Sequence, residues 1–259
     1  MNKKTLYNTS LRRTVTRKGE VYVGCIEGST ESRLVFAKLS RYDADARVAI
    51  VQTHPEWYHI LKDDYYDKVR LEVAKNTTAY DAQFVTDPSV LIRLLLANRS
   101  KKHHRILAKD TSAKVRTVVA RNKDYAYALF SDVATCVRIV VAENHSCVHD
   151  VLLDDADPRV RIAVLSQSER YHEHGVRDRH RTVRAYLAAY SDKYHHIFKD
   201  DESAEVREVV ALNSTTHHET LVCDPSWRVR LAVASTSKLY HPRLRTDGNA
   251  NVRKAAGGL

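Results

Sequence analysis

The sequence predicts an all-α chain, an α-solenoid of about ten two-helix repeats of 23 residues following a superhelical course. Three observations predict it. One skeleton returns along the chain, as "DTSAKVRTVVARN" from Asp110, "DESAEVREVVALN" from Asp201 and "DPSWRVRLAVAST" from Asp224. The apolar positions of each copy keep the spacing of one helix face. Glycine is scarce, with Gly175 the only one between Gly28 and Gly248, which leaves no room for glycine-rich phosphate loops. A unit this short cannot cover its own apolar face, so neighbouring units must stack on it.

Taken in order, residues 1–20 read as a basic arm. Lys3, Lys4, Arg12, Arg13, Arg17 and Lys18 face no acid in the first 18 positions, a composition that suits ordering on a polyanion. Residues 21–259 read as one repeat domain. A degenerate unit begins near Val21 and regular repeats begin at about residue 41.

The arginine of Val-Arg serves as a ruler. It recurs at Arg47, Arg70, Arg116, Arg138, Arg161, Arg184, Arg207, Arg230 and Arg253. Between Arg70 and Arg116, "DPSVLIRLLLAN" places Ile92 at the arginine position and Arg93 one step late. Each first helix is expected to start at an aspartate six residues before the ruler: Asp64, Asp110, Asp132, Asp155, Asp178, Asp201, Asp224 and Asp247. Aspartate is a favoured N-cap, and Pro88 and Pro225 would occupy first helical positions. Apolar residues at −1, +3 and +4 from the ruler give the buried face, and asparagines such as Asn76, Asn122 and Asn213 end the helix. The second helix is shorter, with Leu61, Phe84, Ile106, Phe130, Leu152, Phe198 and Leu221 as its apolar residues at +14.

The frame Asp-x-x-x-x-Val-Arg-x-x-Val-Ala-x-Asn, repeated over about residues 40–259, resembles the variant leucine-rich repeat. It is also similar to HEAT-like repeats, which share the Asp-to-Arg spacing. The resemblance implies stacked helical repeats that present a binding surface, with the second segment either α or 3-10. It implies no fixed reaction.

HEAT-like repeats join Asp and Arg at this spacing in a structural ladder. On that pattern Arg70, Arg116, Arg138, Arg161, Arg207 and Arg230 would bond Asp64, Asp110, Asp132, Asp201 and Asp224 in their own or a neighbouring repeat. A guanidinium fork matches a carboxylate. The competing reading is a row of arginines gripping phosphates.

The chain carries a net charge of +10, and the surplus lies off this ladder. A second concentration, after the arm, is Arg99, Lys101, Lys102, Arg105, Lys109, Lys114, Arg121 and Lys123. A third is Arg177, Arg179 and Arg181 around Gly175, which replaces the +14 leucine. These cations are the candidate binding residues for a nucleic acid or an acidic protein surface.

Histidines share position +11 at His103, His149, His172, His195, His218 and His241. Adjacent repeats stand roughly 10 Å apart, too far for one histidine each to meet on a zinc ion, so they are expected to pack or hydrogen-bond. Cys25, Cys136, Cys147 and Cys223 are scattered without a Cys-x-x-Cys pair. Neither metal nor cofactor is expected, and a reducing cytoplasm is the default setting. No apolar run approaches the length of a bilayer span. Catalytic motifs are missing as well. The alternative is a HEAT-like base-excision DNA glycosylase using Asp81 with Trp57.

Overall fold

The computed structural model describes the strand residues of 5–39 and residues 44–53 and 55–258. The helical repeats form the expected solenoid, and the N-terminal region adds strands ahead of them. Strands β1 (Thr5–Tyr7), β2 (Thr14–Val15), β3 (Val21–Glu27) and β4 (Arg33–Leu39) form an antiparallel sheet in the order β1-β4-β3-β2. The β3–β4 register runs from Val21 opposite Leu39 to Glu27 opposite Arg33. The segment from Val21 is therefore a strand pair and not a degenerate helical unit. It lacks the Asp–Val–Arg frame, and its Val21, Tyr22, Val23, Val35 and Phe36 favour extended chain. Lys3, Lys4, Arg12, Arg13, Arg17 and Lys18 of the expected arm lie outside the described residues.

Two compact units divide the chain, Met1–Asn122 and Lys123–Leu259. In the first, helices Ala44–Thr53, Asp67–Asn76, Val90–Arg99 and Ala113–Val119 pack each upon the next. In the second, the same stacking joins Thr135–Asn144, Pro158–Leu165, Arg181–Tyr190, Ala204–Asn213, Trp227–Thr236 and Ala250–Ala255. The second segment of most repeats is a three-residue 3-10 turn followed by one turn of α-helix, as in Ser146–Val148 with His149–Leu152 and Asp192–Tyr194 with His195–Phe198. Each unit is thus a solenoid of one long and one short helical segment per repeat.

The structure resets the ruler. Ile92 is fully buried at the valine position, and Arg93 holds the arginine position. The 23-residue step therefore runs unbroken from Arg47 through Arg70 and Arg93 to Arg116. The short step is Arg116 to Arg138, at 22 residues. There the long helix stops at Val119 after 7 residues, where most others have 10. The buried residue of the second segment moves back by one, to Leu129 instead of Phe130. In the Arg93 repeat Leu107 is buried and Ile106 is 51% exposed, because the true +14 position is one later than the one read from Ile92.

The ladder aspartates are not helix N-caps. Helices begin three residues later, Ala204 following Asp201. The carboxylate accepts the backbone N–H two residues on, at 2.8 Å from Ser203 to Asp201, Ser226 to Asp224 and Asn249 to Asp247. This is an Asx turn. It makes a sharp corner before the helix and leaves the carboxylate outside the helix end, where a neighbour can reach it. Pro88 and Pro225 fall within such corners, ahead of the helices that start at Val90 and Trp227.

Gly175 is a packing exchange and not a break in the stack. A β-carbon there would lie 2.7 Å from a methyl of both Leu165 and Leu187. Leu165 occupies the +4 position where most repeats carry alanine, so its bulk fills the volume that a +14 leucine fills elsewhere.

Candidate functional site

The arginine column closes on itself. Arg161 donates from Nε to Asp178 Oδ2 and from Nη2 to Oδ1, both at 2.6 Å, and from Nη1 to its own repeat's Asp155 carbonyl at 2.6 Å. The same fork joins Arg47 to Asp64, Arg70 to Asp87, Arg93 to Asp110, Arg138 to Asp155, Arg184 to Asp201, Arg207 to Asp224 and Arg230 to Asp247. Each link reaches forward 17 residues, to the corner of the following repeat. Arg116 and Arg253 bond the carbonyls of Asp110 and Asp247 in the same way, from Nη1. One guanidinium therefore ties two repeats, satisfying a backbone carbonyl in one and a carboxylate in the next.

These links set the charge states. Burial alone would raise the Asp178 carboxyl, but the Arg161 fork, the His180 backbone N–H and the Arg179 charge outweigh it and hold it below the ordinary range. Asp110 follows the same pattern with Arg93 and Ser112. For Asp247 the Arg230 hydrogen bonds are the largest influence, and its pKa too is lowered.

The histidine column is structural as well, with one change of membership. His104 rather than His103 belongs to it, as the reset ruler requires. The Nε2 atoms of His104, His149, His195, His218 and His241 lie 2.7–2.8 Å from the carbonyls of Ala97, Ala142, Ala188, Ala211 and Ala234. A carbonyl only accepts, so each Nε2 carries the proton. These bonds hold the short segment against the end of its long helix. Asp81 stands at the same position of the Arg70 repeat, 7% exposed. There Arg99, from the following repeat, supplies the missing donor, reaching both the Ala74 carbonyl and the Asp81 carboxylate. Arg99 is thus part of the framework rather than of a free cationic surface, and Asp81 is held inside an ion pair.

The position before the histidine place carries an aromatic residue in several repeats, a column that the sequence reading missed. Tyr171, Tyr194 and Tyr240 set their rings edge-on to His149, His172 and His218 of the preceding repeat, at centroid distances of 5.3, 6.4 and 6.0 Å. The signal was present, since Trp57, Tyr80, Tyr171, Tyr194 and Tyr240 share the spacing.

The remaining candidate cations divide by partner. Arg181 bonds Glu205 at 2.7 Å on the surface. Arg177 and Arg179 are exposed beside a cleft of about 270 Å³ shared with His174 and Asp154. Lys101, Lys102, Arg105, Lys109, Lys114 and Arg121 are all exposed, and none makes an ion pair among the described residues. They lie in the first unit, and the exposed Lys123 opens the second. Lys101 and Lys102 sit on the 3-10 turn Lys101–His103, and Arg121 follows the shortened helix Ala113–Val119. Among the described residues no three of His, Cys, Asp and Glu gather as a metal site would need, and no helix is long and apolar enough to cross a membrane.

No family model matches the chain, and no curated protein matches it. A solved structure from Escherichia coli, YibA, aligns with 84% of this chain and 96% of its own at 16% identity, but its TM-score of 0.34 is too low to carry an argument. The solved structure of a leucine-rich repeat variant, described as having a novel repetitive structural motif, superposes with a TM-score of 0.62 at 26% identity, over 75% of this chain and 86% of that one. Alternating long and short helical segments, linked from repeat to repeat, make this chain's helical part similar to that leucine-rich repeat variant.

Proposed function

We propose that the chain is a non-enzymatic repeat scaffold that binds a polyanion, nucleic acid in the first place, through cations outside its ladder. The observation that carries this reading is the division of positive charge. The buried arginines are neutralised within the framework, whereas Lys101, Lys102, Arg105, Lys109, Lys114 and Arg121 stand exposed within 21 residues without ionic partners among the described residues. Such a surface attracts phosphates without reading sequence. Its binding should be sensitive to salt.

The test is affinity for single- and double-stranded nucleic acid across a salt series, with a capture experiment run with and without nuclease. Binding that weakens steeply with salt and is lost on nuclease treatment supports the reading. Capture of an acidic protein that survives nuclease would replace it, and affinity indifferent to salt would end it. The glycosylase alternative gains nothing from the structure, because its candidate acid, Asp81, is buried against Arg99.

A further inference from the structure

In the second unit the ladder ties each corner to the next. Arg138 joins the corners of Asp132 and Asp155, Arg161 those of Asp155 and Asp178, and Arg184 those of Asp178 and Asp201. The residues on either side of these aspartates are not set by the ladder. Asp132 stands between Ser131 and Val133, Asp155 between Asp154 and Ala156, Asp178 between Arg177 and Arg179, and Asp201 between Asp200 and Glu202. Two clefts open along this edge, and residues 151–156 contribute to the walls of both. One, of about 410 Å³, includes Phe130, Val133, Val151 and Ala156 in its lining. The other, of about 270 Å³, is the cleft of His174, Arg177 and Arg179.

The first cleft is apolar and open. Val133 is 92% exposed and Val151 59% exposed, and both line it. In the second cleft Arg177 and Arg179 are exposed and make no ion pair among the described residues, while Asp154 lies 3.5 Å from His174 Nε2. One corner further on, the sign reverses. Glu202 is exposed beside Arg184, whose charge it shares with Asp201, and Asp200 bonds Lys199. Successive corners thus run apolar, cationic and anionic. A nucleic-acid strand laid along this edge would bring its phosphates against valines at one end and carboxylates at the other. A polypeptide can match all three, because its side chains change character from residue to residue.

We infer that this edge binds an extended segment of a partner protein that carries an apolar side chain and, three residues away, a carboxylate. The apolar side chain enters the cleft of Val133 and Val151, and the carboxylate meets Arg177 and Arg179. The spacing follows from the stack. Neighbouring repeats stand roughly 10 Å apart, which an extended chain covers in about three residues at about 3.3 Å each. Asp200 and Glu202 bound the acidic stretch, since a second carboxylate one repeat further along would be repelled and a lysine welcomed. This surface lies in the second unit and does not rest on the polyanion reading, whose cations lie mainly in the first.

The experiment is selection of a phage-displayed random dodecapeptide library on the full chain, followed by fluorescence anisotropy with the enriched peptide. Enrichment of an apolar residue three places from Asp or Glu is expected. Val133→Asp should weaken the peptide about tenfold, as loss of a central apolar contact does. Arg177→Glu with Arg179→Glu should weaken it about fivefold, more at low salt. A peptide with Lys in place of its acid should regain part of that loss. All three positions are exposed, so the melting temperature should stay level. Lys101→Glu with Lys102→Glu should leave peptide affinity unchanged while weakening nucleic acid, which separates this edge from the polyanion surface. No enrichment of the apolar and acidic pair, or affinity unaltered in both the Val133 and the arginine variants, overturns the inference. So does nucleic acid that displaces the peptide and is itself weakened by the arginine changes but not by Val133→Asp.

Discussion

Arg161 and Arg105 carry the same guanidinium to opposite ends. Arg161 is 4% exposed, forks onto Asp178 and donates to the Asp155 carbonyl. Arg105 is exposed on the helix His104–Leu107 and has no ionic partner among the described residues. Place in the repeat frame decides the difference. An arginine six residues after the corner aspartate is enclosed by its own corner and the next one, whereas Arg105 stands exposed on its short segment. Total charge is therefore a poor guide to binding capacity in this chain, and the useful quantity is the charge left outside the frame.

The largest way to break the comparison is acid, because it strikes the ladder at many links together. Asp110, Asp178 and Asp247 titrate below the ordinary value of about 3.9. A carboxyl with a depressed folded pKa contributes stability that is complete above its unfolded value and is lost as pH falls through the folded one. The melting temperature should stay nearly level from pH 7 to about 5 and drop steeply below about 4. A melting temperature that holds to about pH 2 would mean that these links contribute little.

A single link is the next test. Arg161→Ala leaves Asp178 buried without its fork and should cost about 3–5 kcal/mol in chemical denaturation, as for other buried pairs that lose one member. Arg161→Lys keeps a charge but not the planar fork and should cost less. Arg105→Ala should change stability by no more than about 0.5 kcal/mol. Equal losses at 161 and 105 would erase the distinction between framework and surface.

The exchange at Gly175 provides a smaller and more local test. Leu165→Ala should cost about 2–4 kcal/mol by opening a cavity. Gly175→Leu alone should cost about 1–3 kcal/mol by overpacking against Leu165 and Leu187. The double variant, which restores the small-at-+4 and large-at-+14 order of the other repeats, should recover most of the loss. Simple addition of the two penalties would show that these residues do not share one volume.

How far the sequence reached follows from the same geometry. The repeat was legible because stacking demands an apolar residue at −1, +3, +4 and +14, as Val206, Val210, Ala211 and Leu221 show. Identity at single positions was less legible. "LIRLLLAN" hid Arg93 behind Ile92, since an isoleucine in the valine place looks like a shifted arginine place when the Val-Arg pair itself is the ruler. Arg99 looked like one more surface cation because its partners, Ala74 and Asp81, belong to the preceding repeat. The sheet at 21–39 was missed because repeat logic was carried past the end of the frame. Tyr171 could not be distinguished from Tyr194 without knowing that one hydroxyl meets a glutamate and the other does not.

The smallest expected effect on stability accompanies the sharpest expected effect on binding. Changing Lys101, Lys102 and Arg105 together to Glu removes no ladder link, and the folded baseline should shift by little more than the roughly 0.5 kcal/mol typical of surface changes. If these side chains meet phosphates, the slope of log affinity against log salt should become shallower by about 2–3, close to one for each phosphate no longer neutralised. The same triple change at ladder positions would unfold the repeats and report nothing about binding, which is why the off-frame cations are the informative ones. A salt slope that stays the same in the triple variant would place the polyanion surface elsewhere, with exposed Arg177 and Arg179 the next cations to reverse.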